Sequence, residues 1–68
     1  MDKAKLFRIA LTVADRTLRD WAAEQNVAEV TIYALLKGKV TSARLTEAMD
    51  AFIGEQLCVL QNALYRAD

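Results

Sequence analysis

The sequence predicts an all-α protein, a compact bundle of four to five helices formed by a single domain of residues 1–68. Apolar residues make up 54% of the chain, and they recur at helical spacing through most of its length. No segment alternates apolar and polar residues for long enough to form a strand. The chain also lacks proline, the residue that most often breaks a helix.

The apolar spacing divides the chain into four helical segments, each with residues recurring at i, i+3 and i+4 on one face. The predicted buried faces are Leu6, Ile9, Ala10 and Val13 in the first segment, Leu18, Trp21, Ala22 and the edge residue Gln25 in the second, Ile32, Leu35 and Leu36 in the third, and Leu45, Ala48, Met49, Phe52, Ile53, Leu57, Leu60 and Leu64 in the fourth. The last face is long, so a long C-terminal helix is expected.

Local signals mark the ends of the second and third segments. Thr17 and Asp20 have the spacing of a capping box, which predicts that the second helix begins at Leu18. Asn26 tolerates the left-handed backbone conformation that ends a helix, and Gly38 is suited to end the third helix. About three residues then join the two helices, a connection typical of a helix-turn-helix.

The segment AAEQNVAEVTIYALLKGK, residues 22–39, resembles the helix-turn-helix of the lambda-repressor/Cro superfamily of phage and bacterial regulators. Ala22 matches the small residue inside the first motif helix, and Val27 matches the apolar residue that follows the turn. Ile32 and Leu35 match the positions that hold the second motif helix against the first. The resemblance implies a lambda-repressor-like fold that binds double-stranded DNA.

The resemblance covers about residues 4–53, and three positions depart from the family pattern. Asn26 replaces the usual turn glycine. Ala28 stands where the family has a residue that caps the third helix, and losing such a cap costs about 1 kcal/mol of stability. Leu18 stands where the family often has a glutamine that contacts phosphate. None of these departures breaks the fold.

The resemblance also implies which residues face DNA, because the N-terminal part of the second motif helix lies in the major groove. The residues expected to read bases are Glu29, Val30, Tyr33 and Ala34. The residues expected to contact phosphates surround the motif: Arg16, Arg19, Thr31, Lys37, Lys39 and Arg44. A carboxylate accepts from the cytosine amino group, and small apolar side chains pack on a thymine methyl group.

Other interpretations of the same residues remain open. Glu29 also suits the positive end of a helix dipole, and Val30 with Tyr33 also suits a protein-binding patch. Trp21 is interpreted as a core residue and Cys58 as a small hydrophobe in the last helix.

Charge is distributed unevenly although the formal net charge is zero. Residues 1–44 contain eight Lys or Arg and five Asp or Glu, a net charge of +3. Residues 45–68 contain one Arg and four Asp or Glu, a net charge of −3. A basic motif half joined to an acidic half is typical of a DNA-binding protein with a separate association surface.

The predicted last helix has more apolar surface than a four-helix core needs. A heptad-like seam runs along it through Ile53, Leu57, Leu60 and Leu64, and the sequence leaves open whether the helix continues through Gly54. An exposed leucine stripe on so small a chain favours association, most often across a two-fold axis. We therefore expect residues 44–66 to form the interface of a homodimer.

Several function classes are not expected. The chain has no His and only one Cys, so neither a metal site nor another cofactor is predicted. It also lacks a nucleophile–base pair and a phosphate-binding loop, which argues against an enzyme. No apolar run approaches the roughly 20 residues that span a membrane, so a cytoplasmic protein is expected.

The expected function is that of a dimeric transcriptional regulator of the phage or mobile-element type, mainly a repressor that binds an inverted-repeat operator. The alternative is an anti-activator or similar module that reuses the helix-turn-helix to bind another regulatory protein.

Overall fold

The structure is a computed structural model that describes residues 2–66. Within this range the chain forms four helices and no strand: α1 (Lys3–Ala14), α2 (Leu18–Glu24), α3 (Glu29–Leu36) and α4 (Ala43–Arg66). α1 packs mainly against α4, and α2 packs against α3. The prediction of an all-α bundle with a long C-terminal helix is therefore confirmed.

Side-chain caps explain where three of the helices begin, and at the start of α1 the Asp2 carboxylate accepts from the N–H of Lys5 at 2.8 Å. The backbone N–H of Asp20 donates to the Thr17 hydroxyl at 3.1 Å, and the N–H of Thr17 donates to the Asp20 carboxylate at 3.3 Å. This is the predicted capping box, and α2 begins at Leu18 as expected. At the start of α4 the Ser42 hydroxyl accepts from the N–H of Leu45 at 3.2 Å.

Three residues adopt the left-handed backbone conformation at helix ends. Asn26 (φ 63°) and Gly38 (φ 77°) follow α2 and α3, as the sequence predicts. Asp15 (φ 56°) ends α1 in the same way, and its short polar side chain makes it one of the few residues that tolerate this region. Ala28 supplies no side-chain hydrogen bond at the start of α3, as its methyl group requires.

The core is one cluster to which all four helices contribute. Its buried members among the described residues are Phe7, Ala10, Leu11, Trp21, Ala22, Ile32, Leu45, Met49 and Ile53. Three aromatic rings form part of it: the Phe7 ring meets the Trp21 ring edge-on with centroids 4.9 Å apart, and the Phe52 ring lies 5.9 Å from both. Edge-to-face contacts of this kind add to the stability that burial provides.

The buried face of α1 differs from the predicted one by one residue. Leu6, Ile9 and Val13 are only half-buried, whereas Phe7 and Leu11 are buried. Both sets have helical spacing, so periodicity alone does not choose between them. The larger phenyl ring enters the aromatic part of the core, which rotates the buried face by about 100° relative to the prediction.

α4 continues through Gly54 without interruption for 24 residues. Its first part, up to Leu57, packs on the other helices, whereas every residue from 58 to 66 is exposed. We call residues 58–66 the arm and residues 2–57 the body. At 1.5 Å per residue the arm is about 14 Å long, in keeping with the elongated dimensions of 42 × 22 × 16 Å.

The Thr17–Asp20 capping box gives a testable stability prediction. Thr17→Ala is expected to lower the free energy of unfolding by about 1 kcal/mol, measured by thermal denaturation followed by circular dichroism. Thr41→Ala, at an exposed threonine outside the helices, is the matched control and should leave the midpoint unchanged. Equal midpoints for both variants would contradict a stabilising role for the cap.

The same box makes stability depend on pH. The backbone N–H and then the hydroxyl of Thr17 lower the pKa of the Asp20 carboxyl below its ordinary value of 3.8. The stability that this carboxylate contributes is therefore present above pH 3.8 and is lost as the pH falls through the lowered folded-state pKa. The stability difference between wild type and Asp20→Asn should accordingly be clear near neutrality and shrink in acid.

Candidate nucleic-acid interface

α2 and α3 form a tight pair around small and buried side chains. Ala22 on α2 and Ile32 on α3 are both buried in the core cluster. In the turn between the helices, the N–H of Val27 donates to the carbonyl of Ala22 at 3.0 Å. A larger side chain at position 22 would overpack this contact and move α3 away from α2.

The outward face of α3 carries the four residues that were predicted to read bases. Val30 is 70% exposed, Tyr33 is 48% exposed and Glu29 is exposed, while Ala34 is half-buried at the edge of this face. Their spacing keeps them on one side of the helix. We call these four residues the α3 face.

Five of the six predicted phosphate-contacting residues are exposed cations, and the side chains of three of these have neither an ion pair nor a hydrogen bond within residues 2–66. Arg19 lies in the first turn of α2, Lys37 ends α3, and Lys39 follows one residue after Gly38. Neither of the two ion pairs found in residues 2–66 involves them. Positive charge therefore borders the α2–α3 pair at the start of α2 and at the end of α3.

The other three predicted phosphate contacts have different surroundings. Arg16 forms an ion pair with Glu24, whose hydrogen bond and negative charge raise the pKa of Arg16. The Arg44 Nη2 donates to the backbone carbonyl of Gln25 at 3.3 Å, which links α4 to the turn after α2. Thr31 is half-buried in α3. Because a guanidinium has five N–H donors, these partners occupy only part of the donor capacity of each arginine.

The predicted dimer seam is divided between the core and the surface. Ile53 is 8% exposed and belongs to the core, and Leu57 is half-buried against it. Ile53 therefore has little surface to offer a second chain, because the body already covers it. Leu60 and Leu64, at 37% and 69% exposure, are the accessible part of the seam.

Several surface features were not singled out from the sequence. Val40, Val59 and Tyr65 are further exposed apolar side chains. The last two lie on the arm, within residues 56–65, where ten consecutive residues carry no charge. This uncharged run was the signal that could have identified the whole arm, and not only its leucines, as a contact surface.

A groove of about 460 Å³ opens beside α2 and α4. Trp21 and Phe52 line it together with the charged side chains of Arg16, Glu24 and Glu55. It lies outside the α3 face, and none of its residues was predicted from the sequence to form a pocket.

Two kinds of site are not seen in the part of the chain that the structure describes. Residues 2–66 contain no group of three metal-binding side chains close enough to share an ion, and no helix among them is long and apolar enough to cross a bilayer. No protein-family model matches the sequence, and neither a curated protein nor a solved structure matches the chain significantly.

Proposed function

We propose that the protein binds double-stranded DNA through the α3 face and acts as a dimeric transcriptional regulator in the cytoplasm, mainly as a repressor on an inverted-repeat operator. The observation that carries this proposal is the exposed α3 face on a helix pair bordered by the exposed cations Arg19, Lys37 and Lys39. The resemblance of residues 22–39 to the lambda-repressor/Cro helix-turn-helix supports the same function.

The proposed roles of these residues, phosphate contact and base reading, follow from the chemistry of DNA. Contacts from cations to phosphates position a protein on the duplex without reading sequence, whereas contacts to base edges specify the site. Arg19, Lys37 and Lys39 would supply the first kind of contact. Val30 and Tyr33, the exposed large apolar residues of the α3 face, would supply the second kind.

The phosphate contacts predict a defined salt dependence. Arg19→Ala and Lys39→Ala should each weaken binding to all duplexes about equally and reduce the slope of log K against log salt by about one unit. Fluorescence anisotropy at several salt concentrations measures both quantities, with an operator first identified by sequencing the genomic fragments that the protein retains. Arg8→Ala removes the same charge from the exposed side of α1 and should change the slope much less.

Unchanged affinity and slope in both the Arg19→Ala and the Lys39→Ala variants would show that DNA, if bound, docks on another surface.

Glu29→Gln separates base reading from a dipole role, because glutamine keeps the hydrogen-bonding reach and loses the charge. If the carboxylate accepts from a cytosine, the preference at one position per half-site should change by about 1–3 kcal/mol. If the carboxylate only complements the helix dipole, the preferred sequence should stay the same while α3 loses a little stability. Competition binding with operators that differ at single base pairs distinguishes the two results.

A second candidate function is binding of another regulatory protein. The observation that favours it is the composition of α3, whose only charged residue is Glu29 and whose apolar Val30 is 70% exposed. If this function is correct, Val30→Ala and Tyr33→Ala should weaken binding of the partner while Arg19→Ala and Lys39→Ala leave it unchanged. The wild-type chain would then bind no duplex with a phosphate-type salt dependence.

A further inference from the structure

The apolar stripe that α4 presents to the core continues onto the arm. Met49 and Ile53 are buried in the core and Leu57 is half-buried against it, and Leu60 and Leu64 follow at the next helical steps. Because α4 is continuous, all five residues lie along one side of the helix. In the body the other helices cover this stripe, whereas the arm leaves it exposed.

This continuity decides how two arms are able to pair along the stripe. In a parallel pair, the α4 of the second copy would run beside the first along its whole length. The first half of that helix would then occupy the space that α1 and the other body helices already fill. In an antiparallel pair the second body lies beyond the tip of the first arm. Only the antiparallel arrangement covers both exposed stripes without displacing either core.

The body also limits how far the two arms overlap. A second arm is unable to pass Leu57, because Ile53 beyond it is already covered. Full overlap of residues 58–66 from both copies places the two-fold axis at Asn62, the middle of the arm. In that register Leu60 of each copy lies opposite Leu64 of the other.

The side chains that flank the stripe indicate a second copy of this chain as the partner. On the arm and at its base these side chains are Gln56, Gln61 and Ala63, and no residue from 56 to 65 is charged. Helix pairs that select a different partner place opposite charges at such positions. Side-chain amides both donate and accept hydrogen bonds. The glutamines on this flank are therefore able to hydrogen-bond to the same glutamines of a second copy.

We infer that two copies pair through antiparallel arms, with the axis near Asn62 and Leu60 of each copy packed against Leu64 of the other. Gln61 of the two copies then lie side by side across the axis, and Ala63 of the two copies lie together on the opposite flank. The inference rests on the dimer of the proposed function and specifies its geometry.

The same register fixes the distance between the two bodies. The middle of the packed half of α4, near Asp50, lies about 18 Å along the helix from Asn62 at 1.5 Å per residue. Two bodies related by the axis are therefore about 36 Å apart along α4. This value, measured between the bodies and not between the α3 faces, is close to the 34–36 Å or so that separates half-sites one helical turn apart on DNA.

Charge placed at position 61 tests the geometry. In the antiparallel pair Gln61→Glu brings two like charges together, and so does Gln61→Lys. Each variant alone should raise the Kd of the dimer roughly tenfold at low salt, and less at high salt. An equimolar mixture of the two variants should recover a tight dimer. In a parallel pair position 61 faces Gln56 of the other copy, so neither variant would be strongly weakened and mixing would restore nothing.

Sedimentation without DNA measures these effects, and circular dichroism shows that each variant stays helical. Asn62→Glu adds the same charge on the outer side of the arm and should leave the Kd nearly unchanged. A wild-type chain that stays monomeric at high micromolar concentration would overturn the inferred pairing, as would equal effects of Gln61→Glu and Asn62→Glu or a mixture that fails to recover. Since no DNA is present, each of these results stands apart from whether the protein binds a duplex.

Discussion

Replacing Phe7 with Ala is expected to leave the chain largely unfolded at physiological temperature. Phe7 is fully buried, and its ring contacts the rings of Trp21 and Phe52. Truncating a buried phenylalanine costs about 3–5 kcal/mol. A chain of 68 residues has a total free energy of unfolding of roughly 3–10 kcal/mol at ordinary values per residue. The cost of the truncation is therefore comparable with the total stability of the protein.

Chemical denaturation followed by Trp21 fluorescence and far-ultraviolet circular dichroism measures this effect at one fixed protein concentration. Phe7→Leu retains most of the buried volume and should cost much less, and Tyr65→Ala on the exposed arm should leave stability nearly unchanged. A Phe7→Ala variant within about 1 kcal/mol of wild type would contradict the role assigned to the aromatic cluster, because that value lies below the usual range for such truncations.

Changing Leu60 and Leu64 together to Asp is expected to convert the proposed dimer into a folded monomer that has lost most of the proposed operator affinity. Full burial of one leucine contributes about 1.5–3 kcal/mol, and a two-fold axis doubles the number of leucines involved. These two positions are preferable to Leu57, which packs against the core and whose replacement would also destabilise the body. A single half-site is bound far more weakly than a pair, so DNA affinity should fall with dimerisation.

Sedimentation, circular dichroism and a gel shift on the same double variant test this prediction. Val59→Asp combined with Asn62→Asp is the matched control, because it places two acids on the exposed arm away from the leucine stripe. The control should remain dimeric and bind the operator. If the Leu60 and Leu64 double variant also remained dimeric and bound DNA normally, the arm would not be the interface.

The helices were predictable because their signals are local. The Thr17–Asp20 box and the left-handed Asn26 and Gly38 depend only on residues a few positions apart. The choice of Phe7 over Leu6 was not predictable, because it depends on aromatic rings that are distant in sequence. The continuity of α4 through Gly54 was equally undetermined from the sequence. One glycine lowers helix stability by only about 1 kcal/mol, and the stability that the neighbouring residues give the helix is larger than this cost.

The α3 face was predictable for a similar reason. Once Ile32 and its neighbours turn inward, the residues that face outward follow from helical geometry. The partners of the arginines did not follow from any spacing. The bond from Arg44 to the carbonyl of Gln25 joins residues 19 positions apart, and such contacts depend on the packing of α4 against the α2–α3 turn.

Gly54 has a consequence for local unfolding. A Cβ at this position would meet no atom of another element within 4 Å, so packing does not require a glycine, and its main effect is to give α4 more backbone freedom shortly before the arm begins. Isolated helices as short as the arm are barely stable in water. In a single chain the amide hydrogens of residues 58–66 should therefore exchange with solvent quickly, while those of the core exchange only on global unfolding. The proposed pairing of the arms would slow the first class, so hydrogen exchange in the arm should rise on dilution.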